Sequence, residues 1–203
     1  MSARKDWQIN LLGGLALVVI MVALYLVFIW VPTDAQLGVV QRIFYFHLPL
    51  AGVAFASFFV VFIGSIMWLL KTDWKWDMLA VAAAEVGLLF CTLVLITGSI
   101  FAKPTWGAWW TWDPRLTTTL VLWLIYAAYF MLRSAVSEPH QRARLAAVVG
   151  IVGFIDVPIV FMSIRWWRTI HPLVITSESI AMDPPMVFTL AVSFVAIFLL
   201  YAY

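Results

Sequence analysis

Long apolar runs alternate with short polar segments along the whole chain. A helix that crosses a membrane needs about 20 mostly apolar residues, and six runs reach that length. The predicted spans cover about residues 9–31, 50–70, 78–101, 116–133, 145–164 and 184–203. Because the connections are short, we predict an all-α membrane protein with six transmembrane helices in a single domain, residues 1–203. A tryptophan-rich interfacial segment is expected between the third and fourth spans.

The Lys and Arg residues predict the orientation of these spans. Arg4 and Lys5 precede the first span, which is too long for the core of a cleavable signal peptide and is interpreted as a retained signal anchor. Segments on the N-terminal side hold slightly more Lys and Arg than the opposite loops, which favours cytoplasmic N- and C-termini. The outer side then receives the segments around residues 44–47, 103–115 and 165–171.

The composition supports a membrane protein and excludes several function classes. Hydrophobic residues make up 65% of the chain and charged residues 11%, far from the balance of a soluble domain. The net charge of +2 provides no basic face for nucleic acid. A single cysteine, Cys91, excludes an intrachain disulfide, a CxxC redox pair, a zinc cluster and a CxxCH haem attachment site. The chain also lacks a phosphate-binding loop and the common hydrolase signatures, so we do not expect an enzyme.

Residues 106–113 read WGAWWTWD, the densest aromatic segment of the chain. Trp106, Trp109 and Trp110 have the i, i+3, i+4 spacing of one helical stripe, and Pro104 and Pro114 limit the segment to a short interfacial turn. Tryptophan faces suit a large, flat, aromatic ligand. Nearby cations suit a ligand with an anionic edge, such as haem with its propionates. The alternative is an aromatic belt at the membrane interface, which needs no ligand.

Two histidines flank this segment on the same predicted side of the membrane. His47 and His171 are each beside aromatic residues at the end of a span, and neutral imidazoles can bind haem iron from opposite faces. For either histidine alone, a hydrogen bond to backbone at the interface is the simpler interpretation. The third histidine, His140, lies in an inner turn and is interpreted as a solvated loop residue.

Two acidic residues, Glu85 and Asp156, fall within predicted spans. Ionisable groups in the hydrocarbon region are candidates for function by default, and both partner contacts and a ligand path remain open for them. Pro158 follows Asp156 closely and predicts a kink in the fifth span.

The WGAWWTWD segment resembles the WGxWWxWD signature of haem-handling proteins in c-type cytochrome biogenesis. The flanking segments FYFHLP at residues 44–49 and RWWRTIH at residues 165–171 are similar to the two histidine segments of one such family, CcmC. The related CcmF and CcsA families are larger and have more spans, whereas six spans in 203 residues resemble CcmC. The resemblance covers essentially the whole chain.

This resemblance implies a protein that binds haem b at the periplasmic face of the bacterial inner membrane. It implies delivery of that haem to the chaperone CcmE, within a complex with the CcmA, CcmB and CcmD subunits of an ABC-type transporter. His47 and His171 would be the axial iron ligands. The remaining candidate haem-binding residues are the aromatic platform, the propionate partners and one orienting carboxylate: Trp106, Trp109, Trp110, Trp112, Arg42, Arg115, Arg165, Arg168 and Asp113. Lys103 is a weaker candidate for a propionate.

Two other function classes remain open at this stage. A membrane haem lyase or quinol-linked redox enzyme would need further histidines or a thiol pair, and the chain has three histidines and one cysteine. A structural subunit of an ABC exporter without its own ligand would use the tryptophans as contacts to a partner protein. The haem content of the purified chain separates the last alternative from a haem-binding protein.

Overall fold

The computed structural model describes residues 3–171 and 182–203, and the described residues are mainly helical. The helices are α1 (Ala3–Tyr25, continued by a π-helical turn over Leu26–Trp30), α2 (Gln41–Lys71), α3 (Trp74–Trp106), α4 (Pro114–Ala135), α5 (Pro139–Phe154), α6 (Asp156–Trp166) and α7 (Pro184–Ala202). Six of the segments are long and apolar enough to cross a membrane, with α5 and α6 counted together. The predicted all-α membrane protein with six spans is therefore confirmed.

The second helix begins earlier than the hydropathy predicts. Residues 44–47 were expected in an outer loop before a span starting at residue 50, but α2 begins at Gln41 and includes them. The cause is local: Gln41 Nε2 donates a hydrogen bond of 2.9 Å to the Tyr45 hydroxyl. This i, i+4 pair is fully buried, and such pairs stabilise a helix. His47 therefore lies on a helix rather than in a loop.

The described residues form two compact units. The first contains residues 3–53, 97–109 and 182–203, and the second contains residues 54–96 and 110–171. Within the first unit, α1 packs against α7. Gly13 permits a close approach there, because a Cβ atom at this position would lie 2.8 Å from the Tyr203 ring. Buried Val27, Tyr45 and Leu190 belong to the core of this unit.

Within the second unit, α4 packs against α5 and α6. Gly153 permits the contact with α4, since a Cβ atom there would lie 2.8 Å from the Ile125 side chain. At the other end of α4, Arg133 donates two hydrogen bonds, of 2.7 and 2.9 Å, to the carboxylate of Asp77 on α3. Such paired, parallel bonds fix orientation as well as distance. The packing on α4 therefore holds the second unit together from one end to the other.

The fifth span is interrupted between α5 and α6, as Pro158 predicts. Helix α5 ends at Phe154, and α6 begins at Asp156. The Asp156 side chain is buried, and its Oδ2 atom makes no hydrogen bond. Glu85, the other acid within a span, is exposed on α3.

Candidate functional site

Asp113 is the centre of the polar contacts at one end of the second unit. It caps the N-terminus of α4, where its Oδ1 atom accepts a hydrogen bond from the Arg115 amide at 3.0 Å. Its Oδ2 atom accepts bonds from the Thr169 hydroxyl at 2.7 Å and from the Ile170 amide at 3.0 Å. The carboxylate thus joins the start of α4 to the segment that follows α6. These are residues more than fifty positions apart in the sequence.

The same carboxylate orients His171. The distance from His171 Nδ1 to Asp113 Oδ1 is 2.8 Å. Since a carboxylate only accepts hydrogen bonds, Nδ1 carries the proton in this contact, and Nε2 carries the ring's lone pair. The amide of His171 also donates to the Thr169 hydroxyl at 3.0 Å. A histidine held by a carboxylate at one ring nitrogen is the usual arrangement of a metal ligand.

The protonation states suit this role. Burial lowers the pKa of His171, and the nearby Asp113 carboxylate offsets that effect only in part. For Asp113, burial by itself would raise the pKa, but the Thr169 and Ile170 hydrogen bonds and the attraction of His171 outweigh it and leave the pKa lowered. At neutral pH the pair is therefore a carboxylate and a neutral imidazole, and the neutral imidazole is the form that binds metal.

His47 has a comparable contact in the first unit. Its Nδ1 atom lies 2.9 Å from the hydroxyl oxygen of Thr97 on α3. When that hydroxyl accepts from Nδ1–H, His47 also has its lone pair on Nε2. The neighbouring Gly98 leaves room for the ring, because a Cβ atom there would lie 3.2 Å from His47 Cε1. The structure thus gives each predicted iron ligand a hydrogen-bonding partner at Nδ1.

Gly98→Ala is expected to displace the His47 ring and weaken its contact with Thr97. The added methyl group would be closer to Cε1 than ordinary van der Waals contact allows, so the ring must move by a few tenths of an ångström. We expect ligand binding through His47 to fall by about tenfold, a loss typical when the support of a metal ligand is disturbed. Absorption titration with haem measures this. Gly14→Ala is the control, because a Cβ at Gly14 would meet nothing within 4 Å.

The tryptophans do not form the predicted helical stripe. Helix α3 ends at Trp106, and the following Gly107 has a φ of +79°, in the left-handed region that favours glycine. Residues 107–113 are not helical, and Pro104 lies inside α3 rather than before it. The helical spacing of Trp106, Trp109 and Trp110 therefore predicts the wrong structure. The glycine ends the helix after Trp106, so the three rings do not share one helical face.

Exposure separates the four tryptophans of the motif into two kinds. Trp109 and Trp112 are 59% and 76% exposed, whereas Trp106 and Trp110 are half-buried. Trp110 packs edge-on against Trp112, with ring centres 5.8 Å apart. In the part of the chain that the structure describes, the indole Nε1 of Trp110 and the hydroxyl of Thr111 are buried and make no hydrogen bond. Such unpaired buried groups are costly.

The predicted cations have different surroundings. Arg42 donates hydrogen bonds to the Val27 and Val31 carbonyls and to the Thr33 hydroxyl, so it holds the end of the π-helical turn. Lys103 donates to the Gly107 carbonyl at 3.0 Å. Within the described residues none of the predicted cations makes an ion pair, including the second unit's Arg115, Arg165 and Arg168. Arg115 is half-buried and lies close enough to Arg165 for the two positive charges to repel each other.

Two hydroxyl residues of the site could not be assigned from the sequence. Thr97 and Thr169 each support one of the predicted ligand histidines, yet nothing in their local sequence distinguishes them from other threonines near span ends. The only signal for Thr169 is its position two residues before His171. The proposed role of Asp113 was stated as orienting either an arginine or a histidine, and the structure places its side chain on the histidine.

The six apolar spans define a multi-pass membrane protein, and each of its two units holds one of the supported histidines. Residues 2–203 match the model of the Heme exporter protein C family, CcmC. The chain therefore belongs to that family, and the resemblance noted in the sequence is confirmed.

Individual relatives agree with this assignment. The chain is 40% identical to Heme exporter protein C of Bradyrhizobium diazoefficiens over 69% of this chain and 53% of that protein. It is 35% identical to Heme exporter protein C of Escherichia coli K12 over 81% of this chain and 67% of that protein. A ccmC-like mitochondrial protein of Marchantia polymorpha, named for cytochrome c biosynthesis, is 35% identical over 70% of this chain and 60% of its own length. The chain thus spans about half to two thirds of these relatives.

Proposed function

We propose that this chain binds haem b at the outer face of a bacterial inner membrane and delivers it to the haem chaperone CcmE for c-type cytochrome biogenesis. The observation that carries the proposal is the Asp113–His171 pair, with the carboxylate itself fixed by Thr169 and Ile170. A neutral imidazole that is oriented through Nδ1 has its Nε2 lone pair available to bind iron. The names of the relatives supply the identity of the cargo.

His47 and His171 are the proposed axial ligands. Both have Nδ1 in a hydrogen bond, so Nε2 is the proposed iron-binding nitrogen of each ring. The residues present fit haem in a second way, because Trp110 Nε1 and Thr111 Oγ1 are buried donors without an acceptor. Bound haem would supply iron to the two histidines. Its propionate carboxylates would accept hydrogen bonds from the unpaired donors. The residues of this chain hold, orient and release it, and no catalytic residue is proposed.

The surroundings of the motif residues rank them as proposed contacts with the porphyrin or with the chaperone. Trp109 and Trp112 are the exposed faces that a second protein or a porphyrin edge can reach. Arg115, Arg165 and Arg168 are proposed as propionate partners, since a guanidinium fork matches a carboxylate. Arg42 would contribute only after giving up a bond to the end of the π-helical turn. Trp106 completes the proposed platform.

The proposed partners follow from the family. We propose that the chain works beside CcmA, CcmB and CcmD in an ABC-type complex, and that lipid surrounds its six spans. Its N- and C-termini are proposed to be cytoplasmic, with the tryptophan-rich segment and both ligand histidines on the periplasmic side. The alternative, a structural subunit without haem, is favoured only by the exposed Trp109 and Trp112, which would equally suit a protein partner.

The absorption spectrum of the chain purified in detergent without its partners tests the proposal. We expect haem to bind in about one copy per chain, with the low-spin spectrum of two histidine ligands in both the oxidised and the reduced state. Addition of the CcmE chaperone should then move haem to that protein. A folded preparation that takes up no haem would contradict the proposal and favour the structural subunit. Binding without transfer would contradict the delivery step alone.

A further inference from the structure

A cleft with apolar and charged walls lies in the second unit, at the end of α4 opposite to Asp113. Its volume is about 580 Å³, and it is formed by the last turn of α2, the residue that follows it and the first turns of α5. Trp68 and Leu69 provide one wall, and His140, Gln141 and Arg144 provide the other. None of these residues takes part in the proposed haem site. The cleft therefore needs an explanation of its own.

The wall formed by α2 is apolar and faces the surface of the spans. Trp68 packs against Ala143 and Ala147 of α5 and is only 4% exposed. Leu69 lies beside it in the cleft, and the next residue, Leu70, is 74% exposed. The exposed part of this wall is therefore made by Leu69 and Leu70, and exposed leucines at the end of an apolar span suit contact with lipid. This half of the cleft suits an acyl chain.

The wall formed by α5 carries the guanidinium of Arg144. Glu138 also lines the cleft, but its carboxylate accepts hydrogen bonds from the His140 and Gln141 amides and so caps the helix. Arg144 is exposed and makes no ion pair within the residues that the structure describes. The His140 ring is held against Trp74, with ring centres 4.9 Å apart. This half of the cleft suits an anion.

One buried group in the cleft points independently to a ligand. Within the described residues the Nε1 atom of Trp68 is buried and makes no hydrogen bond. An unpaired buried donor is destabilising, and an oxygen atom from a bound molecule would supply the acceptor. The unpaired indole lies in the same cleft as the unpaired guanidinium of Arg144.

We propose that this cleft binds the headgroup of an anionic phospholipid, with the phosphate at Arg144 and an acyl chain along Trp68 and Leu69. Basic pockets between transmembrane helices are a known way of holding such headgroups. The apolar wall favours a lipid over a free phosphate ion, because a free ion gains nothing from Leu69. The position at the end of the spans is where headgroups lie. The proposal stands apart from haem binding.

The full chain, purified and stripped of lipid, is mixed with phosphatidylglycerol or phosphatidylcholine in detergent, and bound lipid is counted by native mass spectrometry. Salt at about 0.5 M screens diffuse attraction between exposed charges. We expect phosphatidylglycerol to be retained in preference to phosphatidylcholine. Arg144→Gln should weaken this retention by about tenfold, the effect of one lost hydrogen bond to a charged group. Arg142→Gln is the matched control, with the same charge on the same helix but outside the cleft.

Three outcomes would overturn the proposal. Equal losses in Arg142→Gln and Arg144→Gln would mean general surface charge rather than a site. Displacement of the bound lipid by inorganic phosphate would mean a phosphate site without an acyl-chain component. Equal retention of both lipids by the unaltered chain would remove headgroup selectivity altogether. Trp68→Phe should also weaken the retention of phosphatidylglycerol. Trp76→Phe controls for effects on folding, because it removes a buried unpaired indole that lies outside the cleft.

Discussion

Replacing His47 or His171 by alanine is expected to abolish the low-spin spectrum of the haem-bound chain. Each replacement leaves iron with one protein nitrogen, so we expect a shift towards a high-spin spectrum and a loss of haem of at least tenfold on washing, typical of a damaged metal site. The double variant should retain no haem with a defined spectrum. Absorption spectra and haem content per chain, measured on the same preparation, give both quantities.

His140→Ala is the matched control for these variants. It removes the chain's third histidine, whose ring packs against Trp74 at the far end of the second unit, and it should leave the haem spectrum unchanged. Free imidazole added to the single variants should restore part of the low-spin signal, which a merely misfolded protein would not show. A double variant with an unaltered low-spin spectrum would remove both residues from the ligand assignment.

Asp113→Ala is expected to produce nearly as large a loss while leaving both histidines in place. It removes the acceptor of bonds from Thr169, Ile170 and His171 together with the cap of α4. We expect haem affinity to fall by about 10- to 100-fold, as for other residues that orient metal ligands. Loss of the helix cap should also reduce stability by about 1 kcal/mol. Haem titration and thermal unfolding in detergent measure the two effects separately.

The chain contains a close control for this change. Asp183 also precedes a proline and also stands at the N-terminus of a helix, α7, but its side chain makes no capping hydrogen bond. Asp183→Ala should therefore leave haem affinity and stability nearly unchanged. If Asp113→Ala and Asp183→Ala bind haem equally well, Asp113 has no positioning role. Asp113→Asn should be intermediate, since an amide can accept one of these bonds but cannot replace two carboxylate oxygens.

Hydropathy predicted the number and type of the spans because a chain in lipid must satisfy its backbone groups within each segment. It could not predict where helices end. Helix α2 extends to Gln41 because of a buried side-chain pair with Tyr45, and a hydropathy pattern carries no signal for such a pair. Helix α3 ends at Trp106 because the glycine after it adopts a positive φ. The tryptophan spacing had predicted that the helix would continue.

The residue types of the candidate site could be chosen from the sequence, but their pairings could not. The two histidines and the tryptophan segment stand out because the chain has only three histidines and an aromatic belt does not require this density of tryptophan. The choice of His171 as the partner of Asp113, 58 positions away, depends on how the second unit folds. For Arg42, the sequence position suggested a contact with the ligand. In the structure its guanidinium donates hydrogen bonds to backbone carbonyls.

The interruption of the fifth span has a mechanical consequence. Pro158 has no N–H to offer the Phe154 carbonyl, so the usual helical bond across the break between α5 and α6 is missing. Helix α6 has 11 residues and is about 16 Å long. It leads directly into the segment that ends at His171. A tilt of about 5° at the break would move its far end by about 1.4 Å over this length. A change of angle at this break would therefore move the segment after α6 against the hydrogen bonds by which Asp113 holds Thr169 and Ile170.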